Sequence, residues 1–174
     1  GQWRPSSPLQ ETGNQLMNPG FEQGTIGWFT QGGTIETVPS NNPNFGTHAL
    51  EFTTDGSQPD EGPFSLPALA TKGQDWRLSI WLSAAQGGEH VSLGIWEYDA
   101  GGEHTGYTNF PLTLSVVPKH YYLNATVIDP HTAYVRAVIR TTEAIAIKGY
   151  ADNATLEPVD RAPATIAPYG RNYL

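Results

Sequence analysis

Residues 76–98 read WRLSIWLSAAQGGEHVSLGIWEY, and this stretch decides the fold class. Apolar and polar residues alternate through 76–83 and again through 90–98, with the cluster Gln86-Gly87-Gly88 between the two runs. A period of two marks a strand with one buried face, and a Gly-rich break between two such runs is where a chain reverses. The stretch therefore reads as two antiparallel strands. Working outward, residues 121–128, 134–141 and 144–156 carry the same pattern clearly, and 34–38, 47–53 and 110–116 carry it more weakly. Asp99-Ala100-Gly101-Gly102, Pro118-Lys119 and Asp129-Pro130 supply turns between them. Heptads and long runs of helical period are missing. About eight to ten short strands at this spacing predict an all-β fold, an antiparallel sandwich with little helix.

Composition agrees and narrows the function classes. A chain of 174 residues suits one domain able to bury a core without a metal or disulfide staple. Nine Lys and Arg against seventeen Asp and Glu leave a net charge of −8, so the concentrated positive surface that nucleic acid requires is not supplied. With no Cys there is no disulfide, thiolate catalysis or zinc–thiolate site. No window is apolar enough to span a membrane as a helix. The chain opens on Gly1, which suggests a processed or excised piece whose export signal is already gone. Residues 1–13 and 160–174 are rich in Pro, Ser and Ala and lack a strand period. They are expected to be ordered arms flanking a single domain over 14–159, packing on their own sandwich or on a neighbouring subunit. Trp3, Leu9, Ile166, Tyr169, Tyr173 and Leu174 could anchor such a contact.

Strand parity separates the core from the opposite surface. Leu78, Ile80 and Leu82, then Val91, Leu93 and Ile95, then Leu123, Ala125 and Val127, then Val135, Ala137 and Ile139 form the core sets. The residues left over are Arg77, Ser79, Trp81 and Ser83; Ser92, Gly94, Trp96 and Tyr98; Tyr122, Asn124 and Thr126; and Tyr134, Arg136, Val138 and Arg140. Four strands are thus expected to share one outer face of rings, hydroxyls, an amide and two Arg. Aromatic planes stack on the apolar faces of pyranose rings, and Arg, Asn and Ser hydrogen-bond the surrounding hydroxyls. Trp81, Trp96, Tyr98, Tyr122, Asn124, Arg136 and Arg140 are therefore the candidate carbohydrate-binding residues, and the Arg pair could select uronate or sulfate groups.

Residues 14–28, NQLMNPGFEQGTIGW, resemble the opening signature of jelly-roll carbohydrate-binding modules of the family four, nine, sixteen and twenty-two type. Residues 46–52 (GTHALEF) resemble the Gly-x-x-Ala-Leu strand of these modules. Residues 76–82 (WRLSIWL) resemble their tyrosine-leucine-serine-x-tryptophan strand, and 150–156 (YADNATL) their aspartate-rich closing strand. The resemblance covers roughly 14–159 in order. It implies a jelly roll that holds a polysaccharide or oligosaccharide along its concave sheet without catalysis, in a secreted protein tethered to a glycan-acting enzyme. It also implies a structural calcium at the rim. Glu22 and Asp152 would be its carboxylate ligands, with main-chain carbonyls from Gly20 and His48; Asn153 stands where the family often has a second aspartate.

Catalytic readings find less support. A glycoside hydrolase needs two facing carboxylates, and near the aromatic residues there are only Glu89, Glu97 and Glu103, of which Glu97 has core-facing parity. His48, His90, His104, His120 and His131 are dispersed, so zinc catalysis is not indicated, and no Gly-x-Ser-x-Gly elbow occurs. The sequons at Asn124 and Asn153 are read as chance matches. The alternative from a different class is a structural jelly-roll protomer that assembles into a filament or surface layer through its arms.

Overall fold

The computed structural model describes residues 13–40, 42 and 46–159. Regular structure among them is strand throughout: β1 (Trp28–Gln31), β2 (Thr34–Pro39), β3 (His48–Thr53), β4 (Gly62–Ser65), β5 (Ala68–Leu69), β6 (Asp75–Ala84), β7 (His90–Tyr98), β8 (His104–Thr113), β9 (Lys119–Thr126), β10 (Tyr134–Arg140) and β11 (Lys148–Val159). These form two antiparallel sheets. The first, sheet A, runs β1-β4-β10-β7-β8 with β5 also paired to β10; the second, sheet B, runs β2-β3-β11-β6-β9. The sandwich predicted from periodicity is the observed fold, with eleven strands rather than eight to ten. The additional short strands β1, β4 and β5 lie in segments rich in Gly and Pro that are too short to display a period. The strand expected at 110–116 is β8, which begins earlier, at His104. As an edge strand it is exposed on both sides along 104–111, so alternation is weak there. The start expected at 144 falls in a loop, and β11 begins at Lys148.

The core lies between the sheets and is built by the four predicted sets. Leu78, Ile80 and Leu82 of β6 face Val91, Leu93 and Ile95 of β7 and Val135, Ala137 and Ile139 of β10, all in one buried cluster with Leu50, Phe52, Trp76 and Leu156. One end is closed by Phe21 against Trp28, ring centroids 5.0 Å apart. Along β11 the register slips between Asp152 and Thr155. The extra residue, Asn153, has φ of 47°, and the bulge lets Ala151, Ala154 and Leu156 all reach the core while Asp152 turns outward beside Trp81.

The chain before β1 is fastened to this closing strand. Asn14 clasps it from two sides, its Nδ2 donating to the Ala154 carbonyl at 3.0 Å and its Oδ1 accepting from the Leu156 amide at 3.0 Å. The Gln15 amide donates to the Leu156 carbonyl at 2.8 Å, and Leu16 and Phe21 enter the core. The C-terminal arm and the N-terminal arm up to residue 12 lie outside the described residues.

Candidate functional site

The seven candidate ligand residues do not share one face. Trp96 and Tyr98 stand on β7 and Arg136 and Arg140 on β10, side by side in sheet A. Trp81, Tyr122 and Asn124 stand on β6 and β9 in sheet B, on the other side of the molecule. Parity sorted inward from outward correctly within each strand, but a strand pattern carries no record of which sheet the strand joins. The single expected face is therefore two.

On sheet A, register makes the groove. Arg136 lies opposite Trp96 and Tyr134 opposite Tyr98 across β10 and β7, while Tyr107 and His104 of β8 stand across from Trp96 and Tyr98. Gln31, Phe64, Pro67 and the turn 100–102 close its ends, giving a depression of about 530 Å³ lined by five aromatic side chains, His104 among them, and two guanidinium groups. The indole N–H of Trp96 donates to Asn109 Oδ1 at 2.8 Å, which lays the ring across Gly94. His104 and Tyr107 meet that ring edge-on, with centroids 5.4 and 5.0 Å away.

The two Arg are held in fixed positions. Arg136 donates from Nη1 to the Ser65 carbonyl at 3.0 Å and lies 5.3 Å from the Phe64 centroid and 5.4 Å from that of Tyr98. Arg140 donates from Nη1 to the Asp60 carbonyl at 2.7 Å and is held between Trp96, 4.4 Å away, and Phe64, 5.6 Å away. Only 5 % of Arg140 is exposed, and its Nε has no hydrogen-bond partner among the described residues. Burial lowers its pKa, and burial together with the Arg140 charge lowers that of His104, so the imidazole stays neutral at physiological pH. Burial raises the Tyr98 phenol, which remains a neutral hydroxyl. Phe64 and His104 are groove residues that parity missed. Phe64 sits on a four-residue strand without a period, and His104 at the start of an edge strand.

Sheet B carries a second, smaller hollow of about 200 Å³ lined by Val38, Ser40, Glu51, Trp81, Tyr150 and Asp152, among others. Trp81 stacks on His120 at 4.8 Å with the planes 4° apart, and His120 meets Tyr122 at 4.4 Å. Asn124 accepts from Arg77 Nε at 3.1 Å. Rings here cover one another, and the amide is engaged by its own sheet.

At the rim of sheet B lie the expected calcium ligands. Glu22 Oε1 accepts from the amides of Thr47 and His48, both at 2.9 Å, and Oε2 from Thr47 Oγ1 at 2.7 Å, and these bonds bring its pKa down to about 2. Asp152 is 6 % exposed, accepts from the Asn153 amide and Ser40 Oγ, and is pushed up to about 6 by burial, with the Glu22 charge adding to the rise. A cation beside Asp152 would offset the effect of burial and of the Glu22 charge on its carboxylate. No group of three or more His, Cys, Asp or Glu suited to a metal occurs among the described residues, so an ion held by Glu22 and Asp152 would need main-chain carbonyls to complete its coordination. Such a donor set, all oxygen, would be of the kind calcium takes. Backbone strain gathers here too: Asn18, Phe21 and Asn153 have φ of 52°, 58° and 47°. For a residue as bulky as Phe21 this is a conformation seldom adopted without cause.

No protein-family model and no curated protein sequence matches the chain. Solved structures do. The enzymatically active domain of bacteriophage CBA120 tailspike protein 4 is similar over 84 % of this chain, with TM-score 0.67 and 12 % identity; the chain spans only 21 % of that domain's length. A family 16 carbohydrate-binding module is similar over 84 % of this chain and all of its own length, with TM-score 0.61 and 20 % identity. The CBM22-1 xylan-binding domain of Paenibacillus barcinonensis Xyn10C is similar over 88 % of this chain and all of its own, with TM-score 0.63 and 19 % identity. The chain thus has the jelly-roll fold of the carbohydrate-binding modules of families sixteen and twenty-two.

Proposed function

We propose that this chain is a non-catalytic carbohydrate-binding module that holds a polysaccharide or oligosaccharide on the outer face of sheet A. The observation that carries the reading is the sheet A groove itself, in which Phe64, Trp96, Tyr98 and Tyr134 provide apolar planes and Gln31, Arg136 and Arg140 provide donors at their edges. Likeness in fold to modules that span their own full length, one of them described as xylan-binding, supports binding over turnover. So does Glu97, which points from β7 into the interior, 4 % exposed, where it accepts from Thr132 Oγ1 at 3.3 Å and cannot meet a ligand in the groove. A structural calcium held by Glu22 and Asp152 with the carbonyls of Gly20 and His48 would tie the segment before β1 to β11. When bound it supplies charge neutralisation and cross-linking, not chemistry. Such a module belongs outside the cell, joined to a protein that acts on glycans.

The test is affinity electrophoresis through gels containing plant, algal and bacterial polysaccharides, with Trp96→Ala and Trp81→Ala run beside the parent. Retardation by one polymer that Trp96→Ala abolishes and Trp81→Ala keeps is the expected result. Equal loss in both variants would place the site elsewhere.

A further inference from the structure

The sheet A groove has an electrostatic character opposite to that of its protein. The chain carries a net charge of −8 with only nine Lys and Arg, yet two Arg line this one depression and, among the described residues, no carboxylate lines it. Neither Arg136 nor Arg140 makes an ion pair within 4 Å among the described residues, where the pairs formed are His48–Glu22, His131–Asp129 and Lys148–Glu51. Of the acids near the groove, the Asp60 and Glu103 carboxylates touch neither Arg and act on Arg140 and His104 only through their charge. Asp99 Oδ1 accepts from the amides of Gly101 and Glu103 at 2.8 and 2.9 Å, shaping the turn, and Asp60 engages Arg140 through its carbonyl.

Burying a guanidinium with no ion-pair partner in contact is costly even where, as here, the Asp60 charge offsets part of that cost from a distance, and a protein tolerates it where the charge is used. Here the cost is visible in three ways: Arg140 is 95 % buried by its 5 % exposure, its Nε is unpartnered, and the carbonyl that fixes it belongs to Asp60, a residue strained to φ of 64°. Both guanidinium groups lie within 6 Å of the Phe64 ring, which gathers them around one apolar plane. Neutral hydroxyls would need only donors, and Asn, Gln or Ser provide those without burying a charge. A guanidinium is the group that matches a planar or tetrahedral anion.

We propose that the groove selects an anionic glycan, with uronate carboxylates or sulfate esters of the chain docking on Arg136 and Arg140 while its sugar rings lie against Phe64, Trp96 and Tyr98. This rests on the glycan-binding reading above and narrows it to a substrate class. Because the chain as a whole is acidic, with a net charge of −8, the groove that holds two Arg and no carboxylate among its described lining is where a polyanion can settle.

The experiment is titration calorimetry of the full chain with matched polymers: polygalacturonate and alginate against the same polymers with carboxyls reduced to alcohols, and chondroitin sulfate against its desulfated form, with neutral xylan and galactan alongside. One acidic polymer should bind at least about tenfold tighter than its neutralised partner, weakening with added salt. Arg136→Gln should lose about tenfold of that preference, while Arg77→Gln, an Arg of sheet B, should keep it. Arg136 is the more informative position because Arg140→Gln alters a side chain that the fold buries and holds by a hydrogen bond to Asp60. Whether the carboxylate or the sulfate pair discriminates tells the two anions apart. Equal affinity for acidic and neutralised polymers, or binding of neutral xylan or galactan alone, overturns the anionic selection and leaves glycan binding standing. Binding of none overturns both.

Discussion

Gly94→Ala is the smallest change that tests how the groove is built. Gly94 lies on the outer side of β7, opposite Val138 of β10 and Asn109 of β8, and its φ is not positive, so alanine can adopt the backbone. A methyl there would stand 2.6 Å from Trp96 Nε1, 2.7 Å from Asn109 Oδ1 and 2.9 Å from Trp96 Cδ1. The indole must swing away. That forfeits its hydrogen bond to Asn109, about 0.5–1.5 kcal/mol, and its contact with Arg140, about 0.5–2 kcal/mol. Replacing Gly in a strand returns about 0.5–1 kcal/mol through the unfolded chain. Folding therefore loses about 0–3 kcal/mol, a fall in Tm of up to about 12 °C at about 2–4 °C per kcal/mol. Binding loses a positioned aromatic plane, about 1–2 kcal/mol, which is about 5–30-fold in Kd. Calorimetric titration with the polymer found by electrophoresis, beside a thermal scan, measures both. An affinity within twofold of the parent would refute the reasoning, because the indole would then be either undisturbed or irrelevant to the ligand.

Three further outcomes are expected. Calcium in hundredfold excess over its Kd should add about 2.7 kcal/mol to stability, so chelation should lower Tm by about 5–10 °C, and Asp152→Ala should remove the difference; identical melting with calcium and with chelator would exclude the site. Glu97, raised by burial from its ordinary 4.5, binds its proton more tightly in the folded chain than in the unfolded one. Stability is thus lost as pH rises from the unfolded value through the folded one, so Glu97→Gln should narrow the Tm gap between about pH 4 and pH 7, measured by scanning calorimetry. An unchanged gap would show that the carboxyl does not titrate differently on folding. Trp81→Ala should cost about 1 kcal/mol from the lost stack on His120, read by denaturant titration, and leave groove affinity within error; a loss of affinity would move the site to sheet B.

The parts of this molecule written in the sequence are those that repeat. Long strands such as β6 and β7 declare themselves because ten and nine residues give the period of two room to recur. The two-residue β5 and four-residue β4 cannot. Membership in a sheet is decided by pairing between residues far apart in the chain, as when Arg136 meets Trp96, and no local pattern encodes it. That is why Trp81, Tyr122 and Asn124 were grouped with residues on the opposite side. Phe64 was invisible for the same reason: its importance comes from lying next to both Arg across a pairing that only β10 reveals. Glu97, by contrast, could be set aside from parity alone, since one step along β7 separates the groove from the interior.

The clasp between Asn14 and β11 gives the domain a mechanical polarity. β11 is zipped to β6 along most of its length, from Gly149 to Val159, whereas the segment 13–27 is held by the Asn14 and Gln15 bonds, the carbonyls of Pro19, Asn18 and Gly27, the Glu22 carboxylate and two buried side chains. Under tension applied at residues 13 and 159, that segment peels off first, and Glu22 leaves the rim with it. The strands that carry Trp96, Arg136 and Arg140 sit in the other sheet and bear little of that load. A domain pulled through both of its ends thus lengthens by the segment 13–27, as a fuse yields, while the groove in the other sheet stays closed.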